Sequence, residues 1–178
     1  MAFVEEQPVP YDALLKTYRG GDRPELWGQY GDCFSVQADR AVTLSQWVFS
    51  FYTSPLFRIE RFILNLLAGT PSTDQQAWSL AEGRRETFAV WAVGARTTDQ
   101  LLMCDRYGKT RSWFRVVPQL SGGTELQFGS AVASRRRPDG TSGMTGRFQI
   151  LLSFHKIYSR LLIGAAKIRV MSARAPRA

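Results

Sequence analysis

Residues 100–134 read QLLMCDRYGKTRSWFRVVPQLSGGTELQFGSAVAS, and this stretch decides the fold. Three runs rich in Leu, Val, Phe, Trp and Thr, residues 100–107, 112–120 and 124–134, are divided by Gly108-Lys109 and by Ser121-Gly122-Gly123. Strand formers flanking breaks of two or three turn residues read as hairpins. Connections this short join antiparallel neighbours, because a parallel crossover needs a dozen residues or more. Residues 87–95 have the same character and are set off by Thr97-Thr98-Asp99, so the spacing predicts a four-stranded antiparallel meander.

Working outward, the periodicity changes on both sides. Phe148, Leu151, Leu152, His155, Tyr158, Leu162 and Ala165 recur at intervals of three and four, with Gln149, Lys156, Arg160, Lys167 and Arg169 on other faces. That pattern predicts an amphipathic helix of about twenty residues. Between it and the meander, Arg135-Arg136-Arg137-Pro138-Asp139-Gly140 with Gly143 and Gly146 reads as a polar loop.

Upstream, residues 32–38 alternate Phe34, Val36 and Ala38 with polar side chains, the period of a half-buried strand. Two helices follow. Thr43 can cap the first, which runs to Tyr52 with Leu44, Trp47, Val48 and Phe51 at helical spacing. Ser54-Pro55 starts the second, since Ser accepts at an N-cap and Pro suits the first helical position. This helix carries Leu56, Ile59, Ile63, Leu66 and Leu67 on one face, with Arg58, Glu60 and Arg61 mostly opposite, and Gly69 and Pro71 stop it. The first thirty residues hold Pro8, Pro10, Gly20, Gly21, Pro24, Gly28 and Gly31 close after, and read as an arm laid over the domain by Tyr11, Tyr18, Trp27 and Tyr30.

The expected organisation is an arm over residues 1–30, one domain over 31–171 and a basic tail over 172–178. At 178 residues the chain can bury a single core. Its 44% hydrophobic content, with 11 Phe, 5 Trp and 6 Tyr, excludes a disordered chain. Two cysteines and one histidine exclude most zinc sites and disulfide frameworks, and no cofactor is expected. The N-terminus Met1-Ala2-Phe3-Val4-Glu5-Glu6 is acidic where a secretory signal would be basic, and residues 56–69 are too short and too charged to span a membrane. A cytoplasmic protein with reduced, packed Cys33 and Cys104 is therefore expected.

Strand, two helices, antiparallel run and long final helix make an α+β order, with helices grouped rather than alternating with strands. A curved sheet wrapped around the last helix is the expected architecture, and it resembles the helix-grip fold of the START-like and polyketide-cyclase superfamily. Phe49-x-Phe51-x-x-Ser54-Pro55, Leu101-Leu102-Met103-Cys104-Asp105, Gly123-Thr124-Glu125-Leu126-x-Phe128-Gly129-Ser130 and Phe154-His155-Lys156-x-Tyr158 resemble a bacterial domain-of-unknown-function family, numbered 2867, grouped with that superfamily. The resemblance covers residues 30–170 and rests on core and turn positions. It implies a hydrophobic or amphipathic small molecule held between sheet and helix, with catalysis in some branches only.

Side chains that can serve such a site are few. His155, the single histidine, shares a helix face with Leu151, Leu152, Tyr158 and Leu162, and a neutral imidazole there can position a ligand or act as general base. The plainer reading is a packed histidine satisfied by a carbonyl. Trp91, Trp113, Phe114 and Phe128 are the expected walls, Tyr158 adds a phenol, and Arg115 or Asp105 is the expected polar anchor. Asp105 reads equally as a strand-end or turn residue, and Arg115 as a solvated guanidinium. Ser130 lacks the Gly-x-Ser-x-Gly elbow of a hydrolase nucleophile.

Two functions follow from this inventory. The first is a non-enzymatic binding module whose cavity approaches the ~300 Å³ of ordinary ligand sites. The second is a cyclase, dehydratase or hydrolase using His155 with Asp105 or Tyr107. A third reading uses the charge: formal net charge is +8, and residues 135–178 hold ten Lys or Arg against one Asp, a composition suited to a polyanion or an anionic membrane surface. No aromatics interleave the Arg135–Arg137 run or the terminal Lys167, Arg169, Arg174 and Arg177, which speaks against nucleic acid. A homodimer is the further partner that the aromatic excess allows.

Overall fold

The structure, a computed structural model, describes residues 3–18, 31–108, 110–132 and 146–172, with the side chains of 68 and 146–155 excepted. Strand β1 (Glu5–Glu6) and a single helical turn α1 (Leu14–Thr17) precede β2 (Gly31–Ala38). Helices α2 (Leu44–Tyr52), α3 (Pro55–Ala68) and α4 (Asp74–Ala81) come next. Strands β3 (Thr87–Phe88), β4 (Trp91–Arg96), β5 (Gln100–Asp105), β6 (Thr110–Pro118) and β7 (Thr124–Val132) lead to α5 (Gly146–Ser172).

The helix starts form as their sequences dictate. Thr43 accepts from the Gln46 backbone N–H while the Gln46 side chain accepts from the Thr43 N–H, and Ser54 accepts from the Phe57 N–H with Pro55 in the first turn. Gly69 closes α3 in the left-handed region at φ 61°, where a Cβ would be strained. A third helix, α4, follows the expected two; Thr73 and Gln76 cap it by the same reciprocal pair seen at α2. The run 87–95 is not one strand. It folds back at Ala89, whose φ of 50° makes the tight turn between β3 and β4.

All strands pair antiparallel in the order β1-β2-β7-β6-β5-β4-β3. β2 therefore lies against β7, with Phe34 opposite Phe128, and the helices bridge from one side of the sheet to the other. The inner face presents Phe34, Val36, Phe114, Leu126 and Phe128 to α2 and α5. Phe51 of α2 centres this core, its ring 4.7 Å from Phe128 and 4.8 Å from Phe114. Trp47 donates to the Gln127 carbonyl at 3.0 Å, fixing α2 to the middle of the sheet. From α5, Leu162, Ile163, Ala166 and Val170 complete the core. This is the expected α+β class, a curved antiparallel sheet gripping a long C-terminal helix.

Two packing details differ from the sequence expectation. On α3 most of the expected apolar row faces solvent: Ile59, Ile63, Leu66 and Leu67 are exposed, Leu56 packs against the core, and Phe57 and Arg61 turn inward. The segment before β2 lies over the outer sheet face mainly through Val9, Ala13 and Leu15, with Tyr18 packed alongside, and covers Cys33, Leu102, Trp113 and Ala131. Tyr11 takes no part in that cover, being 89% exposed, and Trp27 and Tyr30 lie outside the described residues. Residues 133–145 and 173–178, the expected loop and tail, also lie outside them. Among the described residues no helix is long and apolar enough to cross a membrane.

Candidate functional site

A cavity of about 190 Å³ lies between the inner sheet face and the helices. Strand alternation aims Phe128 and Ser130 of β7 and Ser112 of β6 at it, and Trp91 of β4 closes one side. Phe51 and Tyr52 at the end of α2, Phe57 and Glu60 of α3, and Tyr158, Ser159 and Leu162 of α5 form the opposite wall. These three helices meet there because α2 stops at Thr53 and Ser54-Pro55 turns the chain into α3. Helical spacing then puts Phe57 and Glu60 on one side, and Tyr158, Ser159 and Leu162 on another.

Most of this wall is aromatic. Tyr52 and Phe57 meet edge to face at 4.9 Å, and Phe57 and Trp91 lie 5.9 Å apart. Its polar groups are concentrated on α3 and α5. The Tyr158 hydroxyl donates to Glu60 Oε2 at 2.5 Å. Burial pushes the Glu60 carboxyl above its usual range, and the Tyr158 hydrogen bond opposes part of that rise. Burial, and then the adjacent Glu60 charge, push the Tyr158 phenol up strongly. The buried Ser159 Oγ has no hydrogen-bond partner among the described residues. Ser130 Oγ donates to Asp32 Oδ1 at 2.7 Å, so that hydroxyl is already engaged.

Arg111 also borders the cavity, but its guanidinium lies on the other sheet face, 5.1 Å from the Tyr18 ring centroid. Among the described residues no three His, Cys, Asp or Glu side chains gather as a metal site requires. A larger groove of about 510 Å³ opens on the surface between Phe49, Pro55, Ala165, Ile168 and Arg169. It is separate from the grip interior and lacks the interior cavity's paired polar groups.

Of the residues expected at the site, Trp91, Phe128 and Tyr158 line the cavity. Phe114 is fully buried behind Phe128, ring centroids 5.3 Å apart. Trp113 and Arg115 stand on the outer face, because residues alternate sides along β6. There the Trp113 indole donates to Gln100 Oε1 at 2.8 Å, and Arg115 pairs with Asp12 at 2.9 Å and Asp99 at 3.2 Å. Asp105 holds the β5–β6 hairpin, accepting from the Tyr107 N–H at 2.6 Å and from the Thr110 hydroxyl at 2.6 Å. Tyr107 is exposed at that hairpin, accepting from Arg106. The His155 side chain lies outside the described residues. Glu60, Ser159, Phe51 and Phe57 were not expected here. The available signal was the i, i+3 relation of Phe57 to Glu60, which puts a carboxylate beside an aromatic ring.

The chain matches no protein family model and no curated protein. Similar solved structures include a conserved protein of unknown function, EF2215, from Enterococcus faecalis. It is 9% identical over 83% of this chain and 77% of that one, with a TM-score of 0.37. CalU16 from Micromonospora echinospora is 11% identical over 96% of this chain and 90% of that one, with a TM-score of 0.33.

Proposed function

We propose that the protein binds a small amphipathic molecule in the cavity between its sheet and α5, without catalysing a reaction on it. The observation that carries this is a void walled by aromatic rings and edged, on one side, by Glu60, Tyr158 and a Ser159 hydroxyl with no partner among the described residues. Burying a hydroxyl without a partner is unfavourable, and a ligand's polar group relieves it. The volume sets the ligand's size. About 190 Å³ falls below the ~300 Å³ of drug-sized sites but exceeds the ~150 Å³ apolar cavity that holds benzene, so one ring with a short polar substituent fits. Of the polar groups expected from sequence, the Tyr158 phenol serves this reading, and Glu60 takes the anchoring place expected of Arg115 or Asp105.

Kinship with the helix-grip superfamily belongs to the same proposal. What supports it is the order of elements, with β2 beside β7 and α5 laid across the inner face.

Native mass spectrometry of the purified protein, followed by denaturation, is expected to release a molecule of one-ring size. In parallel, calorimetric titration with indole is expected to show saturable binding, and Leu162→Trp, which fills the void, is expected to abolish that response. No released molecule, together with an indole response unaltered by Leu162→Trp, would refute the proposal.

A further inference from the structure

The cavity's charge identifies its ligand class more narrowly. We propose that the site is selective for a small organic cation, an aromatic or alkyl amine in its ammonium form, held between the aromatic wall and the Glu60 carboxylate. This inference rests on the cavity being a ligand site, as proposed above.

The first ground is the state of Glu60 among the chain's acids. In a protein of net charge +8, other carboxylates have found cations: Asp12 and Asp99 share Arg115, Asp74 takes Arg58 and Arg61, and Glu6 takes Lys156 and Arg160. Glu60 has no Lys or Arg partner among the described residues. Its Oε2 accepts from Tyr158, and its Oε1 has no hydrogen-bond partner among them. An acid with no cationic partner among the described residues, beside a cavity, is placed to receive a positive charge from a ligand. Arg111, which could have neutralised it, carries its guanidinium on the opposite face of the sheet.

The second ground is the wall. Phe57, Trp91 and Tyr158 border the same void as Glu60. Aromatic faces carry the negative side of the ring quadrupole and attract cations, most strongly where water is excluded. A carboxylate among several rings is the chemistry that recognises ammonium groups and repels carboxylates. Ser159 Oγ supplies a further acceptor for an ammonium N–H. The positive field of the whole molecule opposes a cation at long range, but screening limits that field to ~8–10 Å at ordinary salt, leaving the local carboxylate to decide.

Three probes with one benzyl or phenyl body separate the contributions: benzylammonium, benzyl alcohol and benzoate, each titrated calorimetrically at pH 7 and 150 mM salt. Benzylammonium is expected to bind about tenfold more tightly than benzyl alcohol, with benzoate weakest. Glu60→Gln is expected to bring the ammonium to within about threefold of the alcohol, by removing the charge and keeping the shape. Tyr158→Phe, which retains the carboxylate, is expected to keep the full preference. The inference is overturned if benzyl alcohol or benzoate equals benzylammonium in the unmodified protein, or if the preference survives Glu60→Gln, or if it is lost in Tyr158→Phe. Those outcomes leave the cavity intact as a binding site. Failure of all three probes to bind would instead bring down the cavity reading itself.

Discussion

At Gly129 the backbone of β7 is approached so closely that a Cβ would lie 2.7 Å from the Asp32 carbonyl oxygen and 3.2 Å from a Leu15 methyl. The oxygen is backbone of the paired strand β2 and cannot yield cheaply, while Leu15 sits in the N-terminal segment packed against this face. Gly129→Ala is expected to destabilise the fold by about 1–3 kcal/mol, the usual penalty of overpacking, measured by urea unfolding. Glu60 makes a different prediction. Its carboxyl is harder to ionise in the folded protein than in the unfolded chain, mainly through burial. The folded state therefore holds the proton more tightly, and stability present below the ordinary carboxylate pKa is lost as pH rises through the raised folded value. Glu60→Gln should flatten that loss, so the variant gains on the unmodified protein between pH 4 and neutrality. Unfolding curves at several pH values check the sign, and a variant that tracks the unmodified protein at every pH would contradict it. Glu60 was hard to read in the sequence for a physical reason. An acid flanked by Arg58 and Arg61 has the appearance of a solvated helix face, and only the inward turn of Phe57 reveals that this side meets the core.

Among the elements, α3 shows how far periodicity can be trusted. The spacing of Ile59, Ile63, Leu66 and Leu67 correctly marks a helix, yet that face is exposed while Phe57 is 3% and Arg61 8% exposed. What turns the helix is polar. Arg61 donates to Asp74 Oδ1 at 2.6 Å, to the Ser72 carbonyl at 2.6 Å and to Ser72 Oγ at 3.0 Å, clamping α3 to the start of α4. A nearly buried guanidinium needs these acceptors, and they lie on the segment between the helices. Burial alone would raise the Asp74 carboxyl, but the Arg61 and Arg58 guanidiniums outweigh it and hold the carboxyl below its usual range. Asp74→Asn is expected to remove about 1–2 kcal/mol, combining the lost charge-assisted bond with the lost negative charge at the α4 N-terminus. The unmodified protein's advantage over it should vanish as pH falls through the lowered Asp74 value, which chemical denaturation at acid pH tests. α4 itself escaped periodicity because Asp-Gln-Gln-Ala-Trp-Ser-Leu-Ala is too polar to show a stripe; its readable mark is the Thr73–Gln76 box. The strands β5, β6 and β7 were legible because alternation and Gly-containing turns agree, whereas the β3–β4 hairpin hid behind an alanine in a left-handed conformation.

For the whole molecule, the decisive feature is that the sheet is covered on both faces, which explains why Trp113 and Arg115, expected at the cavity, stand on the other side of the sheet. An antiparallel sheet over one helix layer needs only one apolar face. Here Trp113, Leu102, Cys33 and Ala131 form a second apolar patch, and the segment before β2 covers it with Val9, Ala13 and Leu15. Polar bonds tie that segment down: the Leu14 N–H donates to Gln100 Oε1 at 2.9 Å, and Asp12 bridges to Arg115. Arg115 and Trp113 thus serve the attachment of the N-terminal segment, so their residue types could not reveal from sequence which face they occupied. Cys33 reports on this cover. It is fully buried, and burial pushes its thiol up to about 12, so it is both shielded and un-ionised at neutral pH. In a Cys104→Ser background, where Cys33 is the remaining thiol, the full chain is expected to resist a disulfide reagent under native conditions. Deleting residues 1–18 should make Cys33 react at least about tenfold faster, as a site opened by local rather than global unfolding would. The milder Leu15→Asp should shift it the same way, by placing a charge against Trp113 and Ala131. If Cys33 stays equally protected in both variants while the melting transition is retained, the segment does not seal the outer face, and Trp113 would need another reason for its burial.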